Sequence, residues 1–220
     1  MFSDIDTIIF DLDGTLLDTL TDLTNSVNYA MQAYQFPTYS RDQVRQMVGN
    51  GVRVLMERAI PKGNSFDQFE DCLKTFKEHY ELHKKDNTSP FPGILEFLKE
   101  ADAAGFKLAV VSNKFDLAVK ELCRDFFSPY IATAIGESAQ TAPKPAPDTV
   151  FKAMEELHSI PERCVYAGDS DVDISTAKNA GIPCISVSWG FRSREFLEMH
   201  GASVIASTVD DMKKIIFPHI

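Results

Sequence analysis

The sequence has few cysteines, few basic residues and no long apolar run. Its 220 residues include four cysteines and one tryptophan. Only 22 lysines and arginines stand against 32 aspartates and glutamates, which gives a formal net charge of −10. Nucleic acids and anionic membranes require clustered positive charge, so we expect neither as a partner. An acidic protein that handles anions is expected to need a cation.

The features of membrane and exported proteins are also missing. The longest apolar runs, such as Leu108 to Val111, are far shorter than the roughly 20 residues that cross a bilayer. Asp4 and Asp6 stand where a signal peptide would be basic and then apolar. The four cysteines are far apart and form no Cys-x-x-Cys pair, which is typical of reduced thiols. We therefore expect a cytoplasmic protein without a membrane segment.

Short apolar runs alternate with amphipathic stretches along most of the chain. The runs predict strands at Thr7–Phe10, Lys107–Val111, Ile131–Ala134, Cys164–Ala167, Pro183–Val187 and Ser203–Ile205. The stretches between them predict helices at Ile94–Ala104, Asp116–Phe127, Asp148–Leu157 and Ile174–Ala180. This alternation predicts an α/β fold, a doubly wound parallel sheet with a Rossmann-like core and helices on both faces.

One long interval, residues 17–89, shows helical patterns and no convincing strand. Its predicted helices are Asp18–Gln35, Arg41–Val48, Gly51–Ala59 and Asp67–Lys85. The turn-forming residues from Asn87 to Gly93 mark its end. We therefore predict a catalytic core of residues 1–16 and 90–220, with a small α-helical cap of residues 17–89 inserted after the first strand.

Chemically versatile side chains follow three of the predicted strands and occupy one further loop. These segments are Asp11-Leu12-Asp13-Gly14-Thr15, Ser112-Asn113, Lys144 between two prolines, and Asp169 to Asp173. Each also fits a structural role: a turn, a helix N-cap at Ser112, a solvated loop lysine, or a complement to a helix dipole. Ligands of doubly wound sheets bind beyond the carboxyl ends of the strands. Acidic residues gathered there would repel one another, so together they indicate a divalent cation.

In order and spacing these four segments resemble the haloacid dehalogenase superfamily of Asp-nucleophile phosphatases. The resemblance covers nearly the whole chain. The helical insertion is similar to the small cap of the phosphoglycolate phosphatase-like branch. Asp18 and the stretch from Val48 to Ala59 also resemble the sequences of that branch.

The resemblance implies a role for each residue. Asp11 would be the nucleophile that forms an aspartyl-phosphate, and Asp13 the general acid and base. Mg²⁺ would be bound by the Asp11 carboxylate, the backbone carbonyl of Asp13 and Asp169, while Asp173 would orient metal-bound waters. The phosphate-binding residues would be Thr15, Ser112, Asn113 and Lys144.

The implied substrate is a small phosphorylated metabolite, with phosphoglycolate as the first candidate. Gly49, Asn50 and Gly51 could offer backbone N–H groups to its carboxylate at a helix start, and Arg53 could add a bidentate contact. A solvated helix arginine is an equally good interpretation of Arg53. Asp171 is left without a catalytic role, and we expect it to cap the following helix.

Other functions fit parts of the pattern. A β-phosphoglucomutase-like sugar-phosphate mutase has the same cap and the same acid/base aspartate, and a pyrophosphatase or nucleotidase is also compatible. A phosphoryl-accepting receiver module shares the acidic residues, hydroxyl and lysine, but it has no use for Asp13 or for a cap. A dehalogenase does not need Asp13 either, because halide leaves without a proton. Asp13 therefore favours phosphate esters.

Overall fold

The computed structural model describes residues 4–139 and 141–217. They form two compact units. One contains the described chain up to Leu17 and from Pro90 onward, and the other is Asp18–Ser89. Leu17, which the sequence pattern assigns to the insertion, is fully buried in the core of the first unit.

Eight strands and ten α-helices are present in the described residues. The strands are β1 (Thr7–Phe10), β2 (Leu17–Asp18), β3 (Ser89–Pro90), β4 (Lys107–Phe115), β5 (Thr133–Glu137), β6 (Cys164–Gly168), β7 (Cys184–Val187) and β8 (Ile205–Ala206). The helices are α1 (Leu20–Ala33), α2 (Arg41–Met47), α3 (Gly51–Ala59), α4 (Phe69–His83), α5 (Ile94–Ala103), α6 (Asp116–Phe127), α7 (Asp148–Glu156), α8 (Asp171–Ala180), α9 (Arg194–Met199) and α10 (Val209–Ile216).

The first unit is built on a six-stranded sheet in the order β5-β4-β1-β6-β7-β8, with every pair parallel. This confirms the predicted α/β fold class. The first strand lies in the centre, and the chain continues to β4 on one side and to β6 on the other. Phe10 pairs with Val110 and with Ala167, so the residues that follow these three positions meet at one edge, toward the carboxyl ends of the strands. That edge is the switch point at which such sheets bind ligands.

Both faces of the sheet are covered, which explains the continuous apolar runs. Ile8 and Phe10 point to a face packed by α5, α6 and α10, whereas Ile9 points to a face packed by α7 and α8. Successive side chains of a strand alternate between faces, so a strand covered on both sides must be apolar throughout. All four residues of β1 are accordingly buried.

The second unit is helical, and its core lies between α1 and α4. Both helices bury residues spaced three and four apart, among them Leu23 and Val27 on α1 and Leu73 and Phe76 on α4. Asp22, also buried on α1, accepts hydrogen bonds from the backbone N–H groups of Asn87 and Thr88 at 2.9–3.0 Å. This carboxylate fixes the last residues of the unit against its first helix.

Several element boundaries differ from the predictions. β4 extends to Phe115, β5 starts two residues later than expected, and β8 covers only Ile205–Ala206. The short strands β2 and β3 lie at the two ends of an interval in which no strand was expected. α9 and α10 have only six and eight residues, too few for clear helical periodicity. The described residues contain no helix long and apolar enough to cross a membrane.

Candidate active site

Asp11 lies at the central point of the sheet edge. It follows β1 directly, its N–H donates to the carbonyl of Ala167 at 2.9 Å, and its side chain is buried. Gly14 then turns the chain with a φ of +88°, a conformation that residues with a Cβ rarely adopt. A Cβ at Gly14 would lie 2.4 Å from Oδ2 of Asp169. The Asp-x-Asp-Gly segment therefore brings its backbone into contact with the acidic loop that follows β6.

Lys144 joins the separate segments of the site. Its Nζ donates to Oδ1 of Asp11 at 2.7 Å, to Oδ1 of Asp173 at 2.7 Å and to the Tyr166 hydroxyl at 3.0 Å. The alternative of a solvated loop lysine is wrong, because the side chain is only 4% exposed. Burial alone would lower the pKa of Lys144, but the carboxylates of Asp11 and Asp173 raise it well above its ordinary value. Lys144 is therefore a firmly charged cation between two carboxylates.

Asn113 positions the loop that carries Lys144. Its side-chain amide donates to the carbonyl of Lys144 at 2.9 Å, and its Oδ1 accepts from the N–H of the same residue at 2.7 Å. Since Asn113 lies on β4, these two bonds tie the lysine loop to the sheet.

Asp173 and Ser170 form the start of α8. Oδ2 of Asp173 accepts from the Ser170 N–H at 3.1 Å and from its hydroxyl at 2.6 Å, while Oδ1 accepts from Lys144 and from Tyr166. The expectation that Asp171 caps this helix is wrong, because the N-cap is Ser170. Asp171 is the first helical residue and lies 4.0 Å from Arg192. Both oxygens of Asp173 are thus already hydrogen-bonded within the protein.

Three buried carboxylates converge at the site. Asp11, Asp169 and Asp173 each offer an oxygen within 4.8 Å of the other two. Burial, reinforced by the neighbouring carboxylates, raises the pKa of Asp11 to about 7 and that of Asp169 well above its ordinary value. Lys144 supplies one positive charge against three negative ones, so the cluster is suited to a divalent cation. Asp11 and Asp169 could hold such an ion more readily than Asp173, because both oxygens of Asp173 already accept hydrogen bonds.

Ser112 and Thr15, the two hydroxyl residues expected to bind phosphate, are both buried. Ser112 is part of β4, and its Oγ accepts from the N–H of Lys114 at 3.2 Å. The alternative of a helix N-cap at Ser112 is therefore wrong; α6 begins only at Asp116. Oγ1 of Thr15 is buried and has no hydrogen-bond partner among the described residues.

Sequence reasoning missed three contributors to the site. Lys114 donates to Oδ1 of Asp13 at 2.9 Å, and its Nζ also lies 2.9 Å from Oδ2. Tyr166 reads as a core aromatic, and only the structure shows that its hydroxyl meets Lys144. The segment after β7 donates from the Phe191 N–H to Asp169 at 2.6 Å, and a Cβ at Gly190 would lie 2.2 Å from the carbonyl of Gly14. The one available signal was the position of Lys114 directly after the Ser112-Asn113 segment.

The residues expected to select the substrate lie in the helical unit. Gly51 begins α3 with a φ of +80°, after Asn50, and Gly49 also has a positive φ. One guanidinium nitrogen of Arg53, Nη2, donates to both carboxylate oxygens of Glu70 at 2.8 and 2.9 Å, and the Arg53 side chain is 53% exposed. Within its own unit Arg53 therefore already has an anionic partner.

Residues 8–187 match the model of the haloacid dehalogenase-like hydrolase family. The chain belongs to this family. It is 32% identical over 217 residues to a phosphoglycolate phosphatase of Mesorhizobium japonicum, with 95% of this chain and 96% of that protein covered. It is 35% identical over 212 residues to a phosphoglycolate phosphatase of Caulobacter vibrioides, with 94% and 89% covered.

The fold of this chain is also similar to that of a solved structure. A Lactobacillus delbrueckii subsp. bulgaricus protein, whose phosphoglycolate phosphatase activity is a prediction, is similar with a TM-score of 0.93 and 36% identity over 97% of this chain and 98% of that one. Family membership and the expected enzyme class, a phosphatase of the haloacid dehalogenase-like hydrolases, are thereby confirmed. A phosphatase of this family acts on small phosphorylated substrates, and the cluster of Asp11, Asp169 and Asp173 fits a metal-dependent member.

Proposed function

We propose that this haloacid dehalogenase-like hydrolase is a Mg²⁺-dependent phosphatase that cleaves small phosphate monoesters through an aspartyl-phosphate at Asp11, with phosphoglycolate as substrate. The observation that carries the proposal is the contact of Lys144 with Asp11 at the centre of the sheet edge. A buried carboxylate held by a buried lysine is oriented for attack, and the lysine reduces its repulsion of a phosphate group.

The reaction has two steps that share one acid and base. In the first, a carboxylate oxygen of Asp11 forms a bond to phosphorus, the ester P–O bond breaks, and Asp13 gives its proton to the departing alkoxide. In the second, Asp13 takes a proton from water as that water attacks the phosphorus of the aspartyl-phosphate. Phosphate then leaves, and the Asp11 carboxylate is restored.

The residues that would hold Mg²⁺ are Asp11, Asp169 and the backbone carbonyl of Asp13, an all-oxygen set of the kind this ion prefers. When bound, the ion offsets the negative charge of the phosphate and of the carboxylates. Asp173 acts from outside this set: it holds Lys144 and Tyr166 and would orient metal-bound waters.

Phosphate oxygens are bound by groups around Asp11. Lys144 contributes charge, and the buried hydroxyl of Thr15, which has no partner in the described part of the chain, supports a hydrogen bond to the phosphate. Ser112 and Asn113 complete the proposed phosphate site from the end of β4. Burial of Thr15, Ser112 and Lys144 strengthens their contacts relative to water.

The choice of phosphoglycolate is supported by the relatives that are named phosphoglycolate phosphatase. In the helical unit, Gly49, Asn50 and Gly51 would offer backbone N–H groups to the substrate carboxylate, and Arg53 would add a charge-assisted contact. The Arg53 side chain is paired with Glu70 and 53% exposed. If Arg53 selects the substrate, Arg53→Ala should weaken turnover of phosphoglycolate by about 10-fold and leave p-nitrophenyl phosphate nearly unchanged.

The test is phosphate release from a panel of phosphoglycolate, a hexose phosphate, pyrophosphate, a nucleoside monophosphate and p-nitrophenyl phosphate, with Mg²⁺ and with a chelator. We expect phosphoglycolate to be the best substrate, and activity to require Mg²⁺ and Asp11. Asp171→Asn is the matched control for Asp11→Asn, because it removes a nearby carboxylate that has no assigned role. A preference for a hexose phosphate or pyrophosphate would contradict the substrate, and ordinary activity of Asp11→Asn would contradict the mechanism.

A further inference from the structure

Lys114 is a buried lysine that the two-step mechanism does not yet use. Its side chain is 4% exposed, and its Nζ lies 2.9 Å from each carboxylate oxygen of Asp13. The Asp13 side chain is itself only 16% exposed. Contact with both oxygens restricts rotation of the carboxylate about its terminal bond, which a single hydrogen bond would leave freer. The ion pair therefore defines the direction in which Asp13 faces.

The backbone around Lys114 is fixed from two sides. On β4 itself, the hydroxyl of Ser112 accepts from the Lys114 N–H. On β5, a Cβ at Gly136 would lie 2.5 Å from the Lys114 carbonyl, and the Gly136 N–H donates to Asp116 at 3.0 Å. The pairing of β4 with β5 shifts register between Val111 and Phe115, at this same place. The irregular end of β4 is thus a rigid support for the lysine.

We propose that Lys114 is a positioning residue that holds the Asp13 carboxylate in the orientation needed for both proton transfers. The inference rests on the proposed function, in which Asp13 is the general acid and base. The two lysines then have separate roles: Lys144 contacts the nucleophile Asp11, and Lys114 contacts the general acid and base Asp13. A proton-transfer group works only in a narrow range of geometry, so fixing its direction contributes directly to the rate.

Lys114→Met tests the proposal in the Mg²⁺-loaded enzyme. We expect kcat on an alkyl phosphate to fall about 10-fold or more while KM stays within about twofold, because orientation of Asp13 matters in the reaction and not in substrate binding. Lys114→Arg, which can donate to both oxygens of Asp13, should recover much of kcat. Lys107→Met removes the same charge from the opposite end of β4 and should leave kcat unchanged. Thermal unfolding checks that each variant is folded, and Lys114→Gln replaces the methionine variant if that one is not.

A double-mutant cycle shows whether Lys114 acts through Asp13. When Asp13→Asn is already present, adding Lys114→Met should cost less than about twofold in kcat, since its partner has gone. The proposal would be overturned if the kcat of the double variant fell by the product of the two single-variant losses. It would also be overturned if Lys114→Met raised KM and weakened inhibition by inorganic phosphate, because Lys114 would then bind the phosphate itself. A Lys114→Met enzyme with unchanged kcat would overturn it as well. An inactive wild-type enzyme or a fully active Asp13→Asn would instead refute the proposed function, whatever the Lys114 variants show.

Discussion

Replacing Lys144 by methionine should destabilise the protein strongly, and by an amount that depends on pH. The lysine lies 2.7 Å from carboxylate oxygens of both Asp11 and Asp173, at only 4% exposure. Removing one partner of a buried ion pair leaves an uncompensated charge and costs about 3–5 kcal/mol. We therefore expect the free energy of unfolding, measured with a chelator present at about pH 8, to fall by about this amount.

The sign of the pH dependence follows from Asp11. Burial raises its pKa from 3.8 to about 7 in the folded protein, so folding holds a proton that the unfolded chain releases. Stability from such a group is present at low pH and is lost as the pH rises through about 7. Loss of Lys144 raises this pKa further, so the deficit of the variant should be largest near pH 8 and smaller near pH 5.5.

Urea unfolding at the two pH values measures both effects. Lys120→Met is the matched control, because Lys120 lies 2.6 Å from Asp116 but is 58% exposed. An exposed pair of this kind contributes less than about 1 kcal/mol, so the control should barely change the free energy of unfolding. A Lys144→Met variant that loses no more than the control, or whose deficit does not shrink at the lower pH, would refute the reasoning.

Three further variants test other parts of the structure. Asp13→Asn should reduce kcat on alkyl phosphates by about 100-fold or more, with partial recovery of the first step on p-nitrophenyl phosphate, whose leaving group needs no proton; equal losses in single-turnover assays would contradict an acid role. Gly190→Ala would place a Cβ 2.2 Å from a backbone carbonyl, so we expect about 1–3 kcal/mol of lost stability by urea unfolding and a large loss of activity. Gly201→Ala, whose Cβ would meet nothing within 4 Å, has only the backbone strain of a φ of +89° and should keep its activity. Asp22→Ala leaves two backbone N–H groups without their acceptor and should cost about 2–4 kcal/mol by the same assay, whereas a loss below about 1 kcal/mol would show that water replaces the carboxylate.

The sheet and much of the site were predictable because their signals are local. Strands that are buried on both faces have continuous apolar sequences. The first apolar run predicts a strand at Thr7–Phe10, which are the bounds of β1. The strand order then explains how Asp11 and Lys144, 133 positions apart in the chain, come within hydrogen-bond distance. Of the segments that resemble the family, Asp11 to Thr15 and Asp169 to Asp173 directly follow β1 and β6, where a parallel sheet binds its ligands.

Other contributors have no local signal. In the sequence, Tyr166 lies within the apolar run of β6 and is interpreted as a core residue. Only the structure shows that its hydroxyl contacts Lys144 and Asp173. The close approach of Gly190 to Gly14 joins residues far apart in sequence, and one glycine among eleven does not reveal it. At α8 the sequence offered several acidic candidates, and backbone geometry decided that Ser170 and Asp173 form the cap.

The central claim is that the phosphoryl group of the substrate is transferred to Asp11. Trapping the phosphorylated enzyme tests this claim most directly. Enzyme mixed with Mg²⁺ and a labelled phosphate monoester is quenched in acid within one turnover and treated with borohydride, which reduces an aspartyl-phosphate to homoserine. Peptide mass spectrometry then locates the reduced residue. We predict homoserine at position 11, with no label in Asp11→Asn. Turnover without modification of position 11, or modification of a different aspartate, would contradict the account.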